Sequence, residues 1–235
     1  MERYAFALKI REGCFNAFRQ TVGEVWKELT ALLDELEVHN FSLWNIEELV
    51  FGYYETGCAA PDESEGAVAA LLEQKQQKAV SLTDAQRAVY TDIMKKFEAL
   101  AEWISAPDAQ MRLMYHDFGI VRENKELIRH RVFATRLKED YQEEYKRRHD
   151  ALVEARGGKV TPGPDSNFSI WNAERYIFGY DEIDVTMEEA ETEESKQGTI
   201  DWEVKMLEIM EWYTDDVDWI SGAHHKHIQC IGHHN

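Results

Sequence analysis

The sequence predicts an α+β protein built from two tandem copies of one β-α-β-β-α-β unit. Three observations carry this. The chain matches itself at a displacement of 127 residues, each half runs through the same order of hydrophobic patterns, and 235 residues divide into two units of roughly 115, each able to hold a core. The self-match pairs Phe6-Ala7 with Phe133-Ala134, Asn40-Phe41-Ser42 with Asn167-Phe168-Ser169, and Trp44-Asn45 with Trp171-Asn172. It continues through Phe51-Gly52-Tyr53 with Phe178-Gly179-Tyr180, and Glu55 with Glu182. A second register, of 116 residues, pairs Ile93-Met94 with Ile209-Met210 and Trp103-Ile104-Ser105 with Trp219-Ile220-Ser221. On that register the first copy is 11 residues longer.

In order, Tyr4 to Ile10 alternates and reads as a strand. Phe15, Phe18, Val22, Val25, Leu29, Leu32 and Leu36 then recur at helical spacing. Asn40 to Trp44 and Leu49 to Glu55 read as paired strands about the polar connector Asn45 to Glu48. The Ala, Gln and Glu-rich stretch from Thr56 to Ser81, with Pro61, reads as a surface insertion. A second helix is expected over Asp84 to Ile104, and a strand from Met111 to Phe118 that closes the unit. The second copy repeats this: strand His130 to Leu137, helix Glu139 to Ala155 stopped by Gly157-Gly158, and strands Asn167 to Trp171 and Tyr176 to Glu182. Helix Asp201 to Ile220 and strand His227 to Ile231 complete it. Domains are expected at 1–122 and 128–235, with 123–127 as linker.

This order is the split βαβ, ferredoxin-like unit, an antiparallel sheet with helices on one face. The other face needs a cover. Two copies in one chain supply it by packing sheet on sheet, so a monomer acting as a pseudo-dimer is expected. With 26 Lys and Arg against 45 Asp and Glu the net charge is −19, which argues against nucleic acid and anionic membrane as partners. No apolar run approaches a membrane span, and Met1-Glu2-Arg3-Tyr4 enters a strand pattern with no signal-peptide core, so a cytoplasmic protein is expected. Cys14, Cys58 and Cys230, odd in number and without CxxC spacing, read as reduced thiols. The acidic stretch Asp181 to Gln197 reads as a solvated loop, and His224, His225, His227, His233 and His234 as a solvated tail or last strand, rather than metal sites.

The chemically able residues lie in the second copy. Tyr145 and His149, four apart on a helix, present a phenol and an imidazole to one spot, where the first copy has Phe18 and Val22. Trp212-Tyr213 is expected on the last helix, where the first copy has Lys96-Phe97; a Trp face suits the C–H side of a sugar ring. These residues resemble the L-rhamnose mutarotase family, of the dimeric α+β barrel class. The resemblance rests on Glu143-Glu144-Tyr145-Lys146-Arg147-Arg148-His149, on Asn167-Phe168-Ser169-Ile170-Trp171, whose Phe168 falls 19 residues after His149, and on Trp212-Tyr213. It implies an intramolecular barrel of that class and an isomerase acting on a monosaccharide. His149 would be proton donor, with Tyr145, Phe168, Trp212 and Tyr213 at the substrate. Phe168 stands where the family pattern has Tyr.

Interconverting anomers needs one acid and one base, and no metal, nucleotide or redox cofactor. Two other readings stay open: a sugar-binding or regulatory module of the same fold, and another enzyme of the class, such as a cofactor-free monooxygenase or a haem protein.

Overall fold

The computed structural model of the chain describes residues 1–57, 82–104, 111–122, 124–160, 162–190, 192–214 and 228–235. Most of the insertion expected at 56–81 and three of the C-terminal histidines, His224, His225 and His227, lie outside these. The elements run β1 (Glu2–Ile10), α1 (Phe15–Glu35), β2 (Val38–Ile46), β3 (Leu49–Thr56), α2 (Asp84–Glu98), β4 (Ala101–Trp103) and β5 (Arg112–Asp117). A 3-10 turn at Lys125–Leu127 leads to β6 (Ile128–Leu137), α3 (Gln142–Arg156), β7 (Asp165–Ala173), β8 (Tyr176–Asp184), α4 (Glu193–Met206), β9 (Met210–Thr214) and β10 (Gln229–His234).

The chain is α+β, its described residues forming two five-stranded sheets ordered β10-β2-β3-β1-β4 and β5-β7-β8-β6-β9. The compact units do not coincide with the repeats: one is 1–110 with 230–235, the other 111–229. The strand expected to close the first unit, β5, pairs instead with β7, placing Leu113 opposite Trp171 and Tyr115 opposite Ile170. The last strand, β10, in turn lies beside β2. Each repeat thus gives its final strand to the other repeat's sheet. A sequence repeat records which segments are contiguous, whereas an open sheet edge is filled by whichever strand can satisfy its backbone N–H and C=O groups.

Both second helices differ from expectation. The first ends at Glu98 rather than Ile104, because Ala101–Trp103 pairs with β1, Leu8 opposite Trp103. The other spans Glu193–Met206 rather than 201–220. It starts earlier because Thr192 caps it, its side chain accepting from Ser195 N–H, with Glu193 and Glu194 in the first turn facing the positive end of the helix dipole. It stops earlier because Met210–Thr214 pairs with β6. The acidic stretch 181–197 therefore contains the end of β8 and the start of α4. The capping threonines Thr83 and Thr192, like Trp103 and Trp212, are 109 residues apart, and this register replaces the expected 116. Short apolar runs such as Ile209-Met210-Glu211-Trp212-Tyr213 fit helix and strand alike; edge pairing decides between them.

The residues matched at 127 build the scaffold. Asn40 donates to Glu55 at 2.9 Å and Asn167 to Glu182 at 3.0 Å, while Tyr53 and Tyr180 donate to the same two carboxylates. Trp44 and Trp171 each donate to a serine two residues back at 2.9 Å. Asn45 and Asn172 close the tight turns after β2 and β7 by donating to backbone carbonyls. Gly52 and Gly179 lie under the rings of Phe6 and Phe133, where a Cβ would come within 2.0 and 2.1 Å of ring carbons. Identity between the copies therefore marks what the fold needs twice.

Candidate functional site

In the second unit α3 lays one stripe on the sheet, with Tyr145 2% and His149 3% exposed. Its C-terminus is set by Gly157 in the left-handed conformation at φ 61°, as the sequence implied. The charged residues around the pair fasten the helix. Glu144 holds Arg147 and Arg148, Arg148 reaches Glu208 at 2.9 Å, and ion pairs Arg112–Glu143 and Arg156–Asp117 tie α3 to β5. The two arginines hold the Glu144 carboxyl well below its usual range, so the ties persist at neutral pH.

The imidazole of His149 is enclosed by rings. Tyr145 stacks on it at 4.3 Å, Trp202 of α4 meets it edge-on at 5.2 Å, and Tyr115 of β5 lies 5.3 Å away. Its Nδ1 is 2.9 Å from the Tyr145 carbonyl oxygen. A carbonyl only accepts, so Nδ1 carries the proton and Nε2 is the basic nitrogen. Burial pulls the His149 pKa down to about 4, the bond to the Tyr145 backbone opposing this. Burial likewise pushes the Tyr145 phenol above its ordinary value, so it keeps its proton.

Phe168, half-buried on β7, touches Tyr115 at 5.5 Å and Phe133 at 6.5 Å, and Arg131 lies over its face at 5.9 Å. Arg131 pairs with Asp181 at 2.6 Å. Burial raises the Asp181 pKa to about 8 although Arg131 opposes it, so this carboxyl still holds much of its proton at neutral pH.

Trp212 and Tyr213 lie on β9, not on a helix. The register of β9 on β6 shifts at Tyr213, between the pairs Trp212–Thr135 and Thr214–Ala134, so the two side chains are placed by their contacts. Trp212 stands opposite Thr135, on the side of the sheet that carries Phe133 and Leu137. Tyr213 packs against Tyr176 at 5.9 Å and under Arg136. The tryptophan in contact with His149 is Trp202, and the sequence reading missed it. On the register of 109 it matches Ile93, a replacement as telling as Val22 for His149. Tyr115 was missed because it precedes the second repeat, and Asp181 because nothing local marks a carboxyl that sheet pairing buries. Among the described residues, no group of three His, Cys, Asp or Glu side chains is placed to hold a metal ion.

A model of the L-rhamnose mutarotase family matches residues 3–112 and again residues 130–229. The chain belongs to that family. Among curated proteins it is 37% identical over 54 residues to the L-rhamnose mutarotase of Jannaschia sp. (strain CCS1); the match covers 22% of this chain and about half, 52%, of that relative. Within this L-rhamnose mutarotase family member the two copies diverge at Tyr145, His149 and Trp202, which stand against Phe18, Val22 and Ile93. The first unit instead encloses a cavity of about 480 Å³ between sheet and helices, lined mainly by apolar side chains such as Phe18, Leu33, Phe41 and Ile93. Its lining also includes the titratable side chains Glu2, Tyr4, Tyr54 and Tyr90.

Proposed function

We propose that the second unit is an aldose mutarotase site that interconverts the α and β anomers of L-rhamnose or a similar deoxyhexose by acid–base ring opening. One observation carries the reading: a buried neutral imidazole whose tautomer is fixed by Tyr145 O, stacked on a phenol and edged by a tryptophan. Nε2 takes the anomeric hydroxyl proton as the bond from C1 to the ring oxygen breaks, and the resulting imidazolium returns a proton to that oxygen. The aldehyde then rotates about C1–C2 and closes by the reverse transfers. The depressed pKa keeps His149 neutral, so that in either direction it takes the first proton and returns the second. Trp202 would cover the apolar face of the sugar, and Asp181 with Arg131 would hydrogen-bond its hydroxyls.

Because His149 is 3% exposed and enclosed by Tyr145, Trp202 and Tyr115, a sugar must move at least one of these rings to reach it. This motivates the second reading, a binding module that never turns over. Saturation transfer between the anomeric NMR signals of L-rhamnose separates the two. We expect catalysed exchange that rises as pH increases through about 4 and is flat to neutrality, since the base must be unprotonated. Sugar binding without exchange would select the module.

The exchanged strands β5 and β10 let one chain supply both ends of the swap that two chains would otherwise share. We therefore infer a monomer, which light scattering should show as a 27.4 kDa species; a stable dimer would contradict it. We place it in the cytoplasm, where the free thiols Cys14 and Cys230 would stay reduced. No helix among the described residues is long and apolar enough to cross a membrane.

A further inference from the structure

We infer that Tyr115, carried on the final strand of the first repeat, supplies the sugar-binding phenol that Phe168 lacks, and so sets substrate affinity in the second unit. The inference rests on the mutarotase reading of that unit.

The register of β5 on β7 carries the argument. Leu113 stands opposite Trp171 and Tyr115 opposite Ile170, so Met114 is an extra residue at a β-bulge. Cross-strand partners share a face of the sheet. Without the bulge Met114 would face Ile170 and Tyr115 would face Ser169, on the side away from the helices. With it, Met114 and Tyr115 both join the core beneath α3 and α4, alongside Ile170 and Phe168. Bulges re-aim side chains in this way beside functional sites.

The re-aimed ring lands between two groups that matter. It is 5.3 Å from the His149 imidazole and 5.5 Å, edge to face, from Phe168. Phe168 cannot bond a hydroxyl; its neighbour can both donate to and accept from one. Ion pairs on either side of Tyr115, Arg112 with Glu143 and Asp117 with Arg156, fix the strand against the helix bearing His149. The phenol is therefore held in place before substrate arrives. Touching the sugar but not the transferred proton, it should govern binding more than turnover.

The test measures KM and kcat for L-rhamnose anomer exchange in the full chain and in Tyr115→Phe, Phe168→Tyr and the double variant. Losing one hydrogen bond to a sugar hydroxyl should raise KM about tenfold in Tyr115→Phe, with kcat within about twofold. The double variant, with a hydroxyl returned at position 168, should recover most of the loss. An unchanged KM in Tyr115→Phe, or a loss that Phe168→Tyr fails to recover, would overturn the inference while leaving the mutarotase reading in place. If the unaltered chain shows no exchange, that reading fails separately, and calorimetry with L-rhamnose decides. Binding weakened by Tyr115→Phe keeps Tyr115 as a sugar contact; equal binding, or none, overturns it.

Discussion

Replacing His149 by Ala should abolish catalysed anomerisation, a loss of about 10²–10⁴-fold, the range a positioned proton carrier contributes. The helix itself should survive. Ala is the best helix former, and α3 keeps its Gly157 stop and its Glu144–Arg148 tie. Stability should respond to pH in a way that identifies the residue. The folded pKa of about 4 lies below the unfolded value of about 6.5, so the contribution of neutral His149 is complete above about pH 6.5. It is lost as pH falls from there toward 4, by up to about 3 kcal/mol, because the unfolded chain binds the proton more readily. His149→Ala should flatten that slope in denaturant titrations. Asp181 acts the other way, its raised pKa removing stability as pH climbs toward 8, and that slope should remain. Exchange rates near those of the unaltered protein would sink the mechanism. Residual activity traced to residues around Phe18 and Val22 would show that the first unit does the chemistry.

Lys125→Met should destabilise the second unit by about 3–5 kcal/mol, the cost of leaving a buried carboxylate without its cation. Glu182 is fully buried, and its side chain is shared by Asn167, Tyr180 and Lys125. Lys125 is itself only 11% exposed and comes from the 3-10 turn between the repeats. The double variant Lys125→Met with Glu182→Gln should recover much of the loss, since the stranded charge is gone while an amide can still meet Asn167 and Tyr180. Thermal unfolding monitored by tryptophan fluorescence reads both. A single variant within about 0.5 kcal/mol of the unaltered chain, the range of an ordinary surface change, would mean that solvent rather than Lys125 balances Glu182.

The segment holding Lys125 was read as a connector. The burial of its Lys125 side chain against Glu182 typifies what the sequence leaves open. The duplication, the α+β class and the long first helices were legible because period and repetition are properties of a single segment. Phe18, Val22, Val25 and Leu29 announce a helix wherever its partners lie. So was the asymmetry of the copies, since Tyr145 and His149 against Phe18 and Val22 needs only an alignment of the chain with itself. The ends of the second helices were not legible. Trp103 and Trp212 each stop being helical because a strand edge across the sheet offers backbone partners.

The site divides the same way. Sequence alone determined that Tyr145 and His149 share one face of one helix, because a 3.6-residue period fixes that without any neighbour. Only the tertiary structure decided what meets them. Trp202 arrives from a helix capped by Thr192, and Tyr115 from a strand exchanged between repeats and turned inward by one extra residue. Tyr213 packs with Tyr176 and Arg136, whereas Trp212 stands opposite Thr135. Contacts of this kind join residues tens of positions apart. They are chosen by which sheet edge is open and which core has room, and no local pattern records either.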